Sequence, residues 1–390
     1  MSLTPPASLF AAPLWASAFR PFFVLGLLYG IGALSAALIA GDINSHGHAL
    51  RHGHEMIFGF TGAIVAGVVL TALPSWAGTP EIRHGRLAFL VALWLAGRLV
   101  MLARLGGPVA LLLDCALFPA MAAMLAPQLA RVANKWYLLA LPGLLLLAGA
   151  NALFHLAADA AAAGAALKLA VYVLMGLYVL KSGVFIPVFT SNVLLAQGRA
   201  AVARHAGLEA AALLAIAALA SADLTGAPGP WVAALALLAG AINAARLGRW
   251  RGWRVLSEPI VFNMQLGIAW LTLALFLRAA ALLAPALPAG AWLHAFTVGG
   301  LGHCMIALMT RVVLKHTGRP LLLAPAIRLA YALMFAAAVT RLLWAVAPDV
   351  RALLSVSTLL WIAAFAIYLW LYGAMMCKPS LPQEPRPARA

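Results

Sequence analysis

The sequence is poor in charged residues, above all in acidic ones. Only 9% of its 390 residues are charged and 10 are Asp or Glu, whereas 65% are apolar. Soluble domains carry about 25% charged residues, so this chain has too little polar surface to cover a water-soluble globule of its size. The shortage excludes a soluble fold and leaves few carboxylates for ion-coupled transport, with Glu55 and Asp114 as the main candidates.

Cysteine and the usual enzyme motifs are also scarce. The three cysteines, Cys115, Cys304 and Cys377, form no CxxC pair and indicate no disulfide framework. The chain has no Walker sequence, no nucleophile elbow and no HExxH motif. No basic segment precedes the first apolar stretch, so we expect the first span to act as its own insertion signal.

Long apolar runs fill most of the chain. A helix needs roughly 20 residues to cross a hydrocarbon core of about 30 Å, and twelve runs have a suitable length. We predict an all-α polytopic transmembrane helix bundle, with one domain over residues 1–377 and a disordered cytoplasmic tail over 378–390. No convincing internal repeat is visible. The predicted spans are 19–40, 55–76, 86–105, 108–126, 136–158, 165–190, 206–224, 230–247, 259–283, 292–314, 325–346 and 352–375.

The net charge of +16 has a topological explanation. Basic residues are concentrated in the gaps after even-numbered spans and in the tail, while the gaps after odd-numbered spans hold few. The positive-inside rule therefore predicts cytoplasmic N and C termini, with the lipid bilayer as partner. Because the charge follows the gaps between spans, it does not indicate nucleic acid as a partner.

Histidines are concentrated where the second span begins. Residues 41–60 contain His46, His48, His52 and His54, and Glu55 follows them. Imidazole is a common ligand of transition metals and of haem iron. Histidines two apart on a helix point about 200° away from each other, so His52 and His54 share a metal only if the segment is extended. If the segment is helical, one of these two histidines binds the metal and the other orients that ligand. For His46 and His48 we favour a place in a solvated connector.

A second group of histidines lies on the tenth span. His294 begins this span, His303 lies near its middle and His316 at its cytoplasmic end. The rise from His294 to His303 is about 13.5 Å with half a turn of phase, so an unbroken helix cannot direct both at one ion. The glycines of VGGLG, between them, favour close helix packing or, less commonly, the approach of a flat macrocycle.

Three histidines are predicted at one depth near the outer surface. His155 lies late in the fifth span, and by the predicted topology it is level with His54 and His294. Ionisable side chains inside a membrane are candidates for function. We therefore predict a metal or haem site at this level.

Five segments carry a resemblance to a known family. In this order and spacing they resemble the NnrS family, which comprises multi-helix bacterial inner-membrane proteins linked to nitric oxide and nitrosative stress and reported to contain haem and copper. The segments are FRPFF (19–23), HxHEMIFGF (52–60), LTALPSWAG (70–78), IPVFTSN (186–192) and HAFTVGGLGHCMIALMTRVVLKHTGR (294–319).

The resemblance implies a cofactor set and residues to hold it. The implied cofactors are haem, of b type, and copper as a second cofactor. The expected ligands near the outer surface are His54, His155 and His294, with His52 as a copper ligand or its partner and His303 at a deeper site. Further family positions are Glu55, Asn151, His316 and Arg319. Arg51 stands where the family has Trp, and Gln265 where a histidine is expected, so one centre has been lost or moved to His303.

The implied function is protection against nitric oxide. The protein would bind or detoxify nitric oxide, another small diatomic ligand, or their iron complexes, with redox activity as an open question. The alternatives are a cofactor-free secondary transporter of a metal ion or small solute, and a haem-handling protein. The sequence identifies neither an electron donor nor an oligomeric state.

Overall fold

The computed structural model describes residues 9–40, 46–284 and 287–382. Every regular element in these ranges is helical. Twelve of the described helices are long and apolar enough to cross a membrane. They are α1 Phe19–Ala40, α2 Ala49–Ala77, α3 His84–Leu102, α4 Gly107–Leu129, α5 Lys135–His155, α6 Ala160–Ala196, α7 Ala206–Leu224, α8 Gly229–Arg254, α9 Pro259–Leu283, α10 Ala291–His316, α11 Pro325–Val346 and α12 Arg351–Cys377.

The prediction of an all-α bundle of twelve membrane helices is confirmed. The main difference is at the second helix, which we predicted to begin at residue 55. The histidine-rich segment His46–His54 is itself helical and continues without a break into Glu55–Thr61. His52 and His54 therefore belong to α2. His52 and His54 therefore point in different directions. The side chains of His46 and His48, which we expected in a solvated connector, lie outside the described residues.

Large apolar side chains are exposed along the outside of the bundle. Leu102, Leu112 and Trp370 are each at least 70% exposed. A soluble monomer rarely exposes contiguous apolar surface on this scale, whereas lipid covers it at no cost. The outer surface of this bundle is therefore suited to a bilayer.

Three helices form the centre of the bundle. In the most apolar stretch of α2, α6 and α10, 78%, 67% and 83% of residues are buried, against 22–44% for the nine other spanning helices. The central helices contact one another, for example through Tyr172 of α6 and Trp292 of α10, whose rings stack at 5.4 Å. Each of them is the second helix of a run of four.

This spacing divides the chain into three four-helix units, α1–α4, α5–α8 and α9–α12. The last helix of each unit packs against the first helix of the next, and α12 packs against α1, so the units close into a ring. An even number of spans gives all three units the same orientation. The three units are therefore arranged in parallel, in contrast to the inverted repeats of many transporters.

The ends of the bundle meet at one face. Arg20, near the start of α1, donates to the carbonyl of Met376 (3.0 Å), at the end of α12, and to that of Lys378 (2.6 Å), just after it. Leu381 donates its backbone N–H to the Thr317 carbonyl (2.9 Å). The first part of the predicted tail thus packs on the bundle, and residues 383–390 lie outside the described residues.

Candidate metal centre

Two of the predicted histidine ligands meet at a buried carboxylate. The ligand atoms of His54, Asp114 and His155 all lie within 4.8 Å of one another. Asp114 Oδ2 lies 3.0 Å from His54 Nε2 and 2.9 Å from His155 Nε2. His54 is fully buried and Asp114 is 7% exposed. Two imidazoles and one carboxylate form a ligand set that suits iron(II), copper(II) or zinc.

Asn151 completes the contacts of this group. Its Nδ2 donates to Asp114 Oδ2 (2.9 Å) and to the Asp114 carbonyl (3.2 Å), and its Oδ1 lies 2.9 Å from His54 Nε2. Asn151 and His155 are four residues apart on α5, so one helix face presents both. The sequence predicted both positions, and the structure brings them together.

The local sequence of α4 explains how Asp114 reaches the site. This helix is interrupted at Ala116, between the segments Gly107–Cys115 and Leu117–Leu129. Pro119 has no N–H to bond the carbonyl four residues earlier, and its ring clashes with that carbonyl at Cys115. On the facing helix α3, a Cβ on Gly97 would lie 2.7 Å from Asp114 Oδ1, so only glycine allows this approach.

Glu55 orients His54 from the other side. Its Oε1 lies 3.0 Å from His54 Nδ1, and its Oε2 accepts from the Tyr29 hydroxyl and from Arg98 Nη1. Residues Glu55–Thr61 form a π-helical segment within α2, a widened turn that is frequent at functional sites. Such a carboxylate partner on the second ring nitrogen is the usual support of a metal-ligating histidine.

The charges of the site favour a bound cation. Arg98 pairs with both Glu55 and Asp114. With neutral imidazoles, two carboxylates and one guanidinium leave a net charge of −1 in a buried environment. Each nitrogen of His54 faces a carboxylate oxygen, which suits either a doubly protonated ring or a metal ion in place of the Nε2 proton.

His294 does not join this group. Its Nε2 accepts a hydrogen bond from Arg341 Nη2 (2.9 Å). His52 is partly buried near the start of α2 and lies within electrostatic range of His294. The structure thus places two of the three histidines predicted at one depth in the cluster, and the third beside an arginine.

His303 lies deeper, as predicted, in an aromatic environment. Its Nδ1 donates to the Gly299 carbonyl (2.8 Å), and its ring lies 6.3 Å from Trp270 and 6.1 Å from Phe335. Its Nε2 is buried and has no hydrogen-bond partner among the described residues. Gln265 lies elsewhere, where its Nε2 donates to Thr190 (3.0 Å).

The HTGR residues lie at the opposite end of α10. His316 packs against the ring of Phe19 at 5.9 Å, and its carbonyl accepts from Ser380 (3.1 Å). Gly318 has a φ of +73° and lies against Leu381, so the turn requires glycine. Arg319 bonds only to the nearby Thr317 carbonyl (3.4 Å) among the described groups. This motif therefore holds the chain after α12.

The sequence comparison confirms the family resemblance. A sequence model of the NnrS protein family matches residues 13–380, nearly the whole chain. The chain belongs to the NnrS family. The match extends beyond the segments that carried the resemblance, and it includes all the helices of the candidate site. No curated protein matches the chain.

The two cofactors that the family implies fit these residues unequally. The cluster of His54, Asp114 and His155 offers suitable donors for a copper ion. For haem, the unpartnered Nε2 of His303 is a possible axial donor. However, a Cβ on Gly299 would lie 2.4 Å from the Trp270 ring, so an indole already covers the glycine face, as in the helix packing that we favoured over the approach of a macrocycle. We therefore assign no step to haem.

Sequence reasoning underrated Asp114 and missed Arg98. Both are charged residues within apolar spans, α4 and α3, and a charge at this depth needs a partner. The two residues have opposite charges and lie on consecutive helices that are joined by a short connection. This could have predicted an ion pair between Arg98 and Asp114.

Proposed function

We propose that this protein is a metal-binding protein of the bacterial inner membrane that acts in the response to nitric oxide. The observation that supports it is the buried set of His54, Asp114 and His155, in a bundle that belongs to the NnrS family. A redox-active copper or iron ion held there would offer an open coordination position for nitric oxide. An uncharged diatomic ligand can reach this position through the hydrocarbon core.

The chain's own residues would prepare the site. Glu55 fixes the orientation of the His54 ring, and Asn151 holds the Asp114 carboxylate. Arg98 balances the two carboxylates, and Phe58 and Phe154 cover the His54 ring at 5.0 and 4.5 Å. These contacts would exclude water and keep the ligands in place when the ion is absent or exchanged.

The test is metal analysis combined with spectroscopy of the detergent-purified protein. We expect retained copper or iron, and an absorption or electron paramagnetic resonance signal that changes when nitric oxide is added. His155→Gln should lower metal affinity at least about tenfold, whereas the exposed control His205→Gln should not. A Soret band in the same spectrum would report the haem that the family implies.

Two results would contradict the proposal. The first is a colourless preparation that holds neither copper nor iron after expression with sufficient metal and haem. The second is normal nitric-oxide tolerance in a strain that lacks the protein. Metal that is transported across vesicles but not retained would favour the transporter alternative.

A further inference from the structure

A second membrane arginine, Arg341 on α11, has no carboxylate partner among the described residues. Its Nη2 donates to His294 Nε2 (2.9 Å), and its guanidinium lies 4.4 Å from the centroid of the Trp344 ring. A guanidinium can only donate, so His294 accepts and its ring is neutral. The pair therefore keeps a full positive charge.

A comparison with the first four-helix unit shows that Arg341 lacks the carboxylates that surround Arg98. Arg98 and Arg341 both lie on the third helix of their unit, and each reaches the start of a π-helical segment that follows a histidine. Arg98 contacts Glu55 and Asp114. In the third unit, Ala295 stands where Glu55 would be, and α12 contains no acidic residue. No described carboxylate forms an ion pair with Arg341.

Three other arginines of the bundle have several acceptors or a carboxylate for their charge. Arg20 donates to the Met376 and Lys378 carbonyls and to the Ser380 hydroxyl. Arg246 pairs with Glu209 and Arg278 with Asp223, each with a closest N–O distance of 2.6 Å. Unpaired charge within a membrane protein is costly. Arg341 instead donates to a single described acceptor, the neutral His294, so the rest of its guanidinium is available to an anionic ligand.

We propose that Arg341 and His294 form a binding site for a small planar oxyanion of the carboxylate, nitrite or nitrate class. The planar fork of a guanidinium matches such groups through two parallel hydrogen bonds. Beyond its bond to His294, the Arg341 guanidinium makes no hydrogen bond to the described residues. The side chain points towards the central helix α10 and not to lipid, and α11 ends only five residues later at Val346, so the site is close to the membrane surface.

The test is anion titration of the full-length protein in non-ionic detergent, followed by calorimetry and by melting temperature. Sodium nitrite and sodium acetate are added separately, with ionic strength kept constant by chloride. We expect saturable binding that weakens about tenfold or more in Arg341→Gln. Arg311→Gln is the matched control, because Arg311 packs over Phe189 about 25 Å along α10 from His294 and also lacks a described carboxylate partner.

The outcomes separate this site from the metal centre. Preference for nitrite identifies a free inorganic anion as the ligand class, and preference for acetate identifies the carboxylate of a larger molecule. Asp114→Asn should leave anion binding unchanged. The proposal is overturned if neither anion saturates wild-type protein, if Arg341→Gln binds like wild type, or if Asp114→Asn abolishes binding. Should Arg341→Gln fail to fold, Arg341→Lys keeps the charge without the fork and should also bind more weakly.

Discussion

The first and third four-helix units use the same framework for different chemistry. In each, a histidine precedes a π-helical segment, with glycines five and eight residues after it: Gly59 and Gly62 in α2, Gly299 and Gly302 in α10. In each, the third helix sends an arginine towards that histidine. The first unit surrounds its arginine with two carboxylates, whereas the third supplies none within the described residues.

This difference shows which residues decide the chemistry of such a site. Because both units have the histidine, the histidine by itself does not specify a metal. The carboxylates decide, because they give the first site a net negative charge that attracts a cation, while their absence leaves the second positive. In our proposals, a shared scaffold with opposite charge would therefore hold a cation in the first unit and an anion in the third.

Removal of Arg98 should have the largest effect of the changes that test this comparison. Arg98→Gln leaves Glu55 and Asp114 without their cation, and loss of one partner of a buried ion pair costs about 3–5 kcal/mol. Arg341→Gln leaves no carboxylate unpaired, so it should cost much less. Melting temperatures of both variants in detergent measure the difference. Equal losses would show that the two arginines have equivalent surroundings.

A smaller effect is expected from Glu55→Gln. The amide keeps the size of the side chain but loses the charge that supports His54 Nδ1. Metal affinity should fall about 10–100-fold, as is typical for a partner of a metal ligand, while the protein remains folded. Competition with a chromophoric chelator measures the affinity. Glu209→Gln, at the ion pair with Arg246, is the matched control, and an equal loss there would mean that the effect is not local to the site.

Much of the fold could be predicted from the sequence, because the apolar runs and basic gaps act locally. All twelve spans were found, and those at 19–40, 206–224, 259–283 and 325–346 have the predicted bounds. The relation between the first and third units was missed, although the histidine and glycine spacing shared by α2 and α10 was a signal for it in the sequence. The central position of α2, α6 and α10 and the two π-helical segments appear only in the structure. A helical period alone does not reveal a π-helical turn.

The candidate site was predicted only in part, for a physical reason. His54 and His155 were named because imidazoles inside a membrane are conspicuous, and Asn151 because of the family resemblance. Their grouping depends on Asp114, which the break before Pro119 and the small Gly97 bring close. His294 was expected with them because depth was judged from span order, and depth does not specify the direction in which a side chain points.

Transfer of the carboxylate between the units is the sharpest test, although its effect on affinity is the smallest. Ala295 follows His294 as Glu55 follows His54, so Ala295→Glu should place a carboxylate within reach of Arg341. The new carboxylate would compete with an external anion and weaken nitrite or acetate binding about tenfold. Ala295→Gln has the same size without the charge and should bind like wild type if volume is tolerated at this buried position. If both variants lose binding equally, steric exclusion explains the effect and the charge difference between the units does not, whereas a loss confined to Ala295→Glu assigns the anion site to the unpaired guanidinium.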